Sequence, residues 1–340
     1  MDTALVIGGN GQIGVPAAAA LARDGWAVRV MHRGSKPLAP ELVALGVTEH
    51  LGDRADDDAV AAAISDGVDL VLDCVAYHGD HAAQVLAHDG RVGSAVVISS
   101  AAVYADAAGN SLGSETFPDL PVPVTEAQAT AAPGRGGYAV EKVELEHAWL
   151  AGDVPTTVLR PGAIHGPRAE NPREWFAVKR ALDGRGDVVL SYGGASRFHT
   201  SAVENIAEIV RLAARQPGNR VLNAVDPEAL TSAEIVRAAY ATLGREVSVH
   251  PLAGAPEGNV GINPWGVPGP LVLDMSGAAE RLGYSPVVGY AESLPAYLDW
   301  IVETSRAGDR QEAFTVFARA QGDRDLFDYV AEDAWLDAHR

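Results

Sequence analysis

The chain has 340 residues, with 45 acidic against 26 basic side chains, a formal charge of −19 and a single cysteine, Cys74. That balance argues against nucleic acid or an anionic membrane surface as partner, since both are met with Lys and Arg. One thiol excludes an internal disulfide framework and makes the reducing cytoplasm the expected compartment. No apolar run approaches the roughly 18 residues of a membrane span, and no basic segment followed by an apolar core reads as a secretion signal.

The first predicted element is a strand, Leu5-Val6-Ile7, running straight into Gly8-Gly9-Asn10-Gly11-Gln12-Ile13-Gly14. Pro16 and the run Ala17 to Ala20 then read as the opening turns of a helix. A buried strand feeding such a turn presents backbone N–H groups and the positive end of a helix to a diphosphate. Gly8, Gly11 and Gly14, with Gln12 and Ile13, are therefore cofactor candidates. The helix stops at Gly25, and residues 26–31 read as a second strand followed by His32-Arg33-Gly34-Ser35-Lys36. In nucleotide folds of this kind an acid at that place accepts from a free ribose 2′-hydroxyl. None is present here. Arg33 and Lys36, with Ser35 as a further donor, suit a 2′-phosphate instead, so NADP is expected rather than NAD.

Residues 47–51 read as a third strand ending in Gly52-Asp53-Arg54, and 56–64 as a helix whose aspartate-rich first turn suits the macrodipole. The runs 70–76, 94–100 and 156–159 are apolar enough for parallel strands buried on both faces, with Cys74 as a packing residue. Strands alternating with helices predict a doubly wound parallel sheet. Beyond Arg160-Pro161-Gly162 the rhythm loosens. Helices are expected at 174–182, 203–215 and 290–304, a strand at 221–225, and further helix in the acidic tail from Asp309. Thr231 to Glu234 is a capping box opening a helix to about 243, and 254–270, dense in Gly and Pro, is a loop. The expectation is an α/β fold: a Rossmann-type sheet over 1–165 rejoined by about 200–225, a smaller C-terminal substrate lobe from 166–199 and 226–305, and an acidic helical extension over 306–340.

The chemistry lies in Ser99-Ser100-Ala101-Ala102-Val103-Tyr104, at the end of the fifth strand, and in Tyr138-Ala139-Val140-Glu141-Lys142. If Tyr138 opens a helix, Lys142 lies one turn on, on the same face. A neighbouring ammonium favours the phenolate and pulls a tyrosine pKa down. Such a phenol can hand a proton to a carbonyl oxygen, or take one from an alcohol, while a nicotinamide carries the hydride. Ser100, at the C-terminal edge of the sheet, is placed to hold that oxygen.

With these residues in this order the sequence resembles the short-chain dehydrogenase/reductase superfamily, specifically its extended branch, the NAD-dependent epimerase/dehydratase family. The resemblance rests on Gly8 to Gly14, Gly52-Asp53, Ser99 to Tyr104, Tyr138 to Lys142, Arg160-Pro161-Gly162, Asn223-Ala224-Val225, Leu282 to Pro286 and Trp300. It implies that Ser100, Tyr138 and Lys142 are the catalytic Ser, Tyr and Lys, and that the lysine reaches the nicotinamide ribose. It implies further that Asp53 contacts adenine and that Pro161, Gly162 and Ile164 lie along the nicotinamide. Arg54 and Ala76 join the expected cofactor site. Arg33-Gly34 and Gly52-Asp53-Arg54 look closest to a divergent subgroup that includes the chloroplast stem-loop-binding proteins.

Two departures from the family pattern bear on function. Sugar-nucleotide epimerases of the family carry a long helical crossover between the fourth and fifth strands, with an Asn in the proton relay. Here only residues 77–93 bridge them, without Asn, so the usual four-helix dimer is not expected; a monomer, or a dimer through other surfaces, is. The dehydratases place an acid pair after the serine-equivalent position, where this chain has Ala101-Ala102, which disfavours loss of water. His78, His81 and His88 lack the spacing of a metal site, and no metal is expected. Tyr77, His78, Ala101, His165, Arg197 and Trp265 are the substrate-binding candidates. The expected activity is NADP(H)-dependent interconversion of a ketone and a secondary alcohol on a small or medium-sized organic molecule. A sugar-nucleotide epimerase and a non-catalytic nucleotide-dependent binding protein are the alternatives.

Overall fold

The computed structural model describes residues 1–134, 136–307, 314–320 and 322–339. Its first elements are β1 (Thr3–Ile7), α1 (Gly14–Arg23), β2 (Ala27–His32), α2 (Pro40–Ala44), β3 (Thr48–Leu51), α3 (Asp57–Ile64), β4 (Leu70–Asp73), α4 (Gly79–Leu86) and β5 (Ala95–Ile98). Then come α5 (Tyr138–Leu150), β6 (Thr156–Pro161), β7 (Ala163–His165), α6 (Trp175–Leu182), β8 (Asp187–Leu190), β9 (Thr200–Ala202), α7 (Val203–Arg215) and β10 (Arg220–Ala224). The chain closes with α8 (Ser232–Thr242), β11 (Ser248–Pro251), α9 (Ser276–Leu282), α10 (Tyr290–Arg306), α11 (Thr315–Ala320) and α12 (Tyr329–Ala338). No helix among the described residues is long and apolar enough to cross a membrane.

Two compact units result. Unit 1 comprises residues 1–162, 203–225 and 273–287, and unit 2 the remainder. Within unit 1 a parallel sheet of seven strands runs in the order β10-β6-β5-β4-β1-β2-β3. Strand residues alternate between faces. Leu5 and Ile7 of β1, with Val71 and Val97, pack on Val60 and Ile64 of α3, Ala82 and Val85 of α4, and Leu145 and Trp149 of α5. Each buried Leu, Ile or Val among them contributes about 1.5–3 kcal/mol by leaving water. The other face is covered by α1 and α7, packed on each other. This is the doubly wound Rossmann-type sheet that the alternation of elements predicts, with the return of 203–225 supplying the edge strand.

Strands are shorter than their apolar runs. The fourth ends at Asp73, not Ala76, because the Asp73 carboxylate turns back to accept from the Val75 N–H at 3.1 Å and grips Arg54. The fifth ends at Ile98, two residues before the Ser100 side chain caps a 3-10 turn at Ala101–Val103. Asp56 caps α3 by accepting from the N–H groups of Asp58 and Ala59. Residues 273–287, expected in the lobe, group with unit 1: Asn223 Nδ2 donates to the Asp274 carbonyl at 3.0 Å, and the Val225 N–H lies 3.2 Å from Met275 Sδ.

Unit 2 contains two short parallel pairs, β8–β11 and β7–β9. Its core takes Trp175 and Phe176 from α6, Tyr240 from α8, Tyr290, Leu294 and Tyr297 from α10, and Trp265 from the Gly/Pro loop. Thr231 and Glu234 make the reciprocal capping box at the start of α8, at 3.2 and 2.7 Å. Of the acidic tail, residues 308–313 lie outside the described residues, while α11 and α12 belong to unit 2. Phe317 and Leu326 enter its core, and buried Glu332 accepts from the Val189 N–H at 3.1 Å beside Arg180.

Candidate active site

The glycine turn joins β1 to α1, and each glycine answers a different steric demand. Gly8 has φ +76° and donates its N–H to the Met31 carbonyl at 2.9 Å. A Cβ on Gly9 would lie 2.4 Å from Val30 Cβ, and one on Gly14 only 2.3 Å from the Gly8 carbonyl oxygen. Those two positions let strand and helix close up. At Gly11 a Cβ would meet only the Gly8 oxygen, at 3.2 Å, so this bare edge of the turn, followed by Gln12, Ile13 and the α1 N-terminus, is where a diphosphate has room to approach backbone. The cradle fits a dinucleotide.

After β2, Arg33, Ser35 and Lys36 lie exposed on a loop without a carboxylate. His32 Nδ1 accepts from the Gly34 N–H at 3.2 Å, and Asn10 of the glycine turn binds the far end of the same loop. Asp53, at the end of β3, is exposed, with one oxygen accepting from the Ala55 N–H. Its neighbour Arg54 turns inward: Nε and Nη2 donate to Asp73 Oδ2 at 2.9 and 2.8 Å, and Gln84 and the His81 carbonyl take its other protons. Arg54 therefore ties β4 to α4, a packing role that the expectation of a cofactor contact did not include.

Gly137, at φ +94°, turns the chain into α5, so that Tyr138 is its first residue and stands half-exposed. One turn on, Lys142 is buried, and its Nζ donates to the carbonyls of Ala76 at 2.5 Å and Ile98 at 3.0 Å. Ala76 thus enters the site through its carbonyl. The ammonium lies 5.8 Å from the Tyr138 ring centroid and 4.9 Å from that of Tyr77, and the two rings meet edge-on at 6.4 Å. Burial pushes Lys142 down to about 8, against the pull of Asp73 and Glu146. Ser100 Oγ accepts from the Ala102 N–H at 3.1 Å, and the turn it caps packs on α5. Ser100, Tyr138 and Lys142 are thus gathered at the C-terminal edge of the sheet.

A second helical turn brings Glu146 beneath Lys142. Ser99 Oγ donates to Glu146 Oε1 at 2.5 Å, and Arg160 Nε and Nη2 donate to its two oxygens at 3.0 and 2.5 Å. The Arg160 guanidinium lies over the Tyr104 ring, and the Tyr104 hydroxyl, pushed up to about 12 by burial, donates to Asn223 Oδ1. Sequence reasoning missed this chain of buried groups. The signal was available: Tyr138, Lys142 and Glu146 are spaced four apart, on one helix face.

The remaining candidates divide between the units. Tyr77 and His78 follow β4 in unit 1, where the Tyr77 N–H donates to His81 Nδ1 at 3.0 Å and the His78 and His81 rings lie 3.9 Å apart. Among the described residues no group of three His, Cys, Asp or Glu side chains is arranged to hold a metal ion. Ala101 is buried in the 3-10 turn, and Pro161 and Gly162 end the unit 1 segment that β6 closes. Ile164, His165, Arg197 and Trp265 belong to unit 2. His165 is buried against Asp226 at 2.8 Å, Arg197 donates to the Ala229 carbonyl, and Trp265 is a core side chain set edge-on to Phe176. Ser293 Oγ stands 3.4 Å from His165 Nδ1, the order of a hydrolase triad. That hydroxyl donates to the Tyr290 carbonyl at 2.7 Å and is buried, so the arrangement is structural.

A Rossmann-type sheet with a glycine turn after β1 and a Tyr and Lys one turn apart on α5 defines a nucleotide-dependent enzyme class. The profile of the NAD-dependent epimerase/dehydratase family matches residues 4–224, and the chain belongs to that family. No curated protein sequence matches it. Among solved structures the fold is similar to that of dTDP-glucose 4,6-dehydratase from Bacillus anthracis in complex with NAD, at TM-score 0.67 and 15% identity over 90% of this chain and 98% of that one. It is similar to UDP-glucose 4-epimerase from Thermotoga maritima, at 0.67 and 18% over 89% and 99%. It also resembles an epimerase from Methanothermobacter thermautotrophicus, at 0.68 and 18% over 90% and 94%. Identities this low carry the fold alone.

Proposed function

We propose that the protein is an NADP(H)-dependent oxidoreductase that interconverts a ketone and a secondary alcohol on a small or medium-sized organic substrate in the cytoplasm. The observation that carries this reading is Lys142, a buried ammonium one turn below the half-exposed Tyr138. When bound, the nicotinamide supplies or accepts the hydride. In the direction of reduction the Tyr138 hydroxyl gives its proton to the substrate oxygen, and Ser100 Oγ donates a hydrogen bond to the same oxygen as negative charge develops there. The Lys142 ammonium favours the phenolate that is left. Arg33, Ser35 and Lys36, exposed on a loop with no carboxylate, support a 2′-phosphate on the cofactor. A screen of ketones and alcohols, followed by absorbance of the reduced cofactor, tests the reading. Turnover with NADPH supports it; tight cofactor binding with no turnover of any candidate would favour a binding protein instead.

Sugar-nucleotide epimerisation is the second reading, favoured by the family match and by the UDP-glucose 4-epimerase among the similar folds. It uses the same three residues, with oxidation followed by reduction from the opposite face. Elimination of water is not proposed, because the turn after Ser100 offers Ala101 and Ala102 where an acid and a base would be needed.

A further inference from the structure

Asn10 stands in the glycine turn, yet its side chain is spent on a different segment. Nδ2 donates to the Pro37 carbonyl at 2.9 Å and reaches the Lys36 carbonyl at 3.3 Å, while Oδ1 accepts from the Ala39 N–H at 3.1 Å. An amide carries a donor and an acceptor on one rigid group, so a single side chain fixes both the outgoing and the returning polarity of the loop. The other end of that loop is fixed as well. His32 Nδ1 holds the Gly34 N–H, and His32 Nε2 lies 3.1 Å from Glu49 Oε2. Ala39 is buried as the N-cap of α2. Arg33, Ser35 and Lys36 therefore project from a backbone clamped at both ends, and one clamp is the glycine turn itself.

We propose that Asn10 is a specificity-positioning residue: it holds the basic loop at a set distance from the glycine turn, so that a ligand with a diphosphate and a second phosphate on the adenosine ribose meets both at once. The proposal deepens the NADP(H) reading and rests on it. A loop ordered before binding loses less entropy when the phosphate arrives. The benefit falls only on a ligand that uses the loop, which makes Asn10 a determinant of the ratio of affinities and not of affinity as such.

Calorimetric titration of the full chain with NADP⁺ and with NAD⁺ tests this on wild type, Asn10→Ala and Asn10→Ser. Asn10 does not occupy a left-handed conformation, so neither change strains the turn. Both variants are expected to weaken NADP⁺ about ten-fold, as two lost neutral hydrogen bonds would, and NAD⁺ by less than about three-fold, with the melting temperature recorded alongside. If both cofactors weaken by the same factor, Asn10 merely supports the turn and the proposal is overturned. A wild-type preference for NADP⁺ that both variants leave intact overturns it too. Equal wild-type affinities for NADP⁺ and NAD⁺ would instead remove the cofactor reading itself, and this proposal with it.

Discussion

Lys142 lies 5.8 Å from the Tyr138 ring centroid, and its ammonium is held by the carbonyls of Ala76 and Ile98. Ile98 is the last residue of β5, and Ala76 lies three residues beyond the end of β4, so both carbonyls stand at the sheet's C-terminal edge. The ammonium is thus fixed by backbone while the Tyr138 side chain stays half-exposed.

A pH dependence follows. Burial sets Lys142 at about 8, and only its charged form favours the Tyr138 phenolate. The kcat/KM for carbonyl reduction should be level below about pH 8 and fall towards one decade per pH unit above it. Lys142→Arg, which keeps its charge, should lose rate but not show this limb. A limb at the same pH in Lys142→Ala would assign it to another group.

Glu146 should matter for stability more than for rate. Removing it leaves Arg160 charged and buried without its carboxylate, which costs about 3–5 kcal/mol. Glu146→Ala measured by urea denaturation should show a loss of this size, and Ser99→Ala a smaller one of about 1 kcal/mol. A loss below about 1 kcal/mol for Glu146→Ala would mean that the network carries no net stability.

In unit 2 the sign of the acid response can be worked out. Burial alone would raise the Asp226 pKa, but His165, Thr200 and the Ala202 N–H outweigh it and hold the carboxyl at about 2, below the usual 3.8. Stability from this group is complete above about pH 4 and is lost as pH falls towards 2, an effect of about 2 kcal/mol. The difference in unfolding free energy between wild type and Asp226→Asn should shrink over that interval. A difference that stays constant would contradict the pairing.

The doubly wound sheet was legible because buried parallel strands are continuous apolar runs, and the site because Tyr138 and Lys142 share a helix face at a spacing visible in the chain. The short pairs β7–β9 and β8–β11 were not legible: three or four residues such as Thr200–Ala202 carry too little periodicity to declare a strand. The buried pairing of Arg54 was not legible for a related reason. A basic residue beside the exposed Asp53 gives no sign in the sequence of the buried Asp73 that it pairs with in the fold. The substrate candidates of unit 2 drew on loop position, which does not tell a pocket-lining tryptophan from a core one such as Trp265.

The short crossover yields an assembly prediction. α4 has only eight residues and packs on α5 within unit 1, so a dimer through these two helices should not reach the roughly 1,200 Å² of a stable interface. Light scattering should return the same mass for wild type and for Glu144→Arg, which places a charge reversal on the exposed face of α5. A wild-type dimer that this change dissociates would contradict the expectation.

The most direct measurement is turnover by Tyr138→Phe on a substrate that the wild-type enzyme reduces, with NADPH affinity measured on the same sample. On the proposed reading the glycine turn and the β2 loop carry cofactor binding, so affinity should stay within a few-fold. General acid catalysis typically contributes about 10²–10⁴ in rate, and turnover should fall by that factor. Undiminished turnover in Tyr138→Phe would place the acid elsewhere and contradict the account.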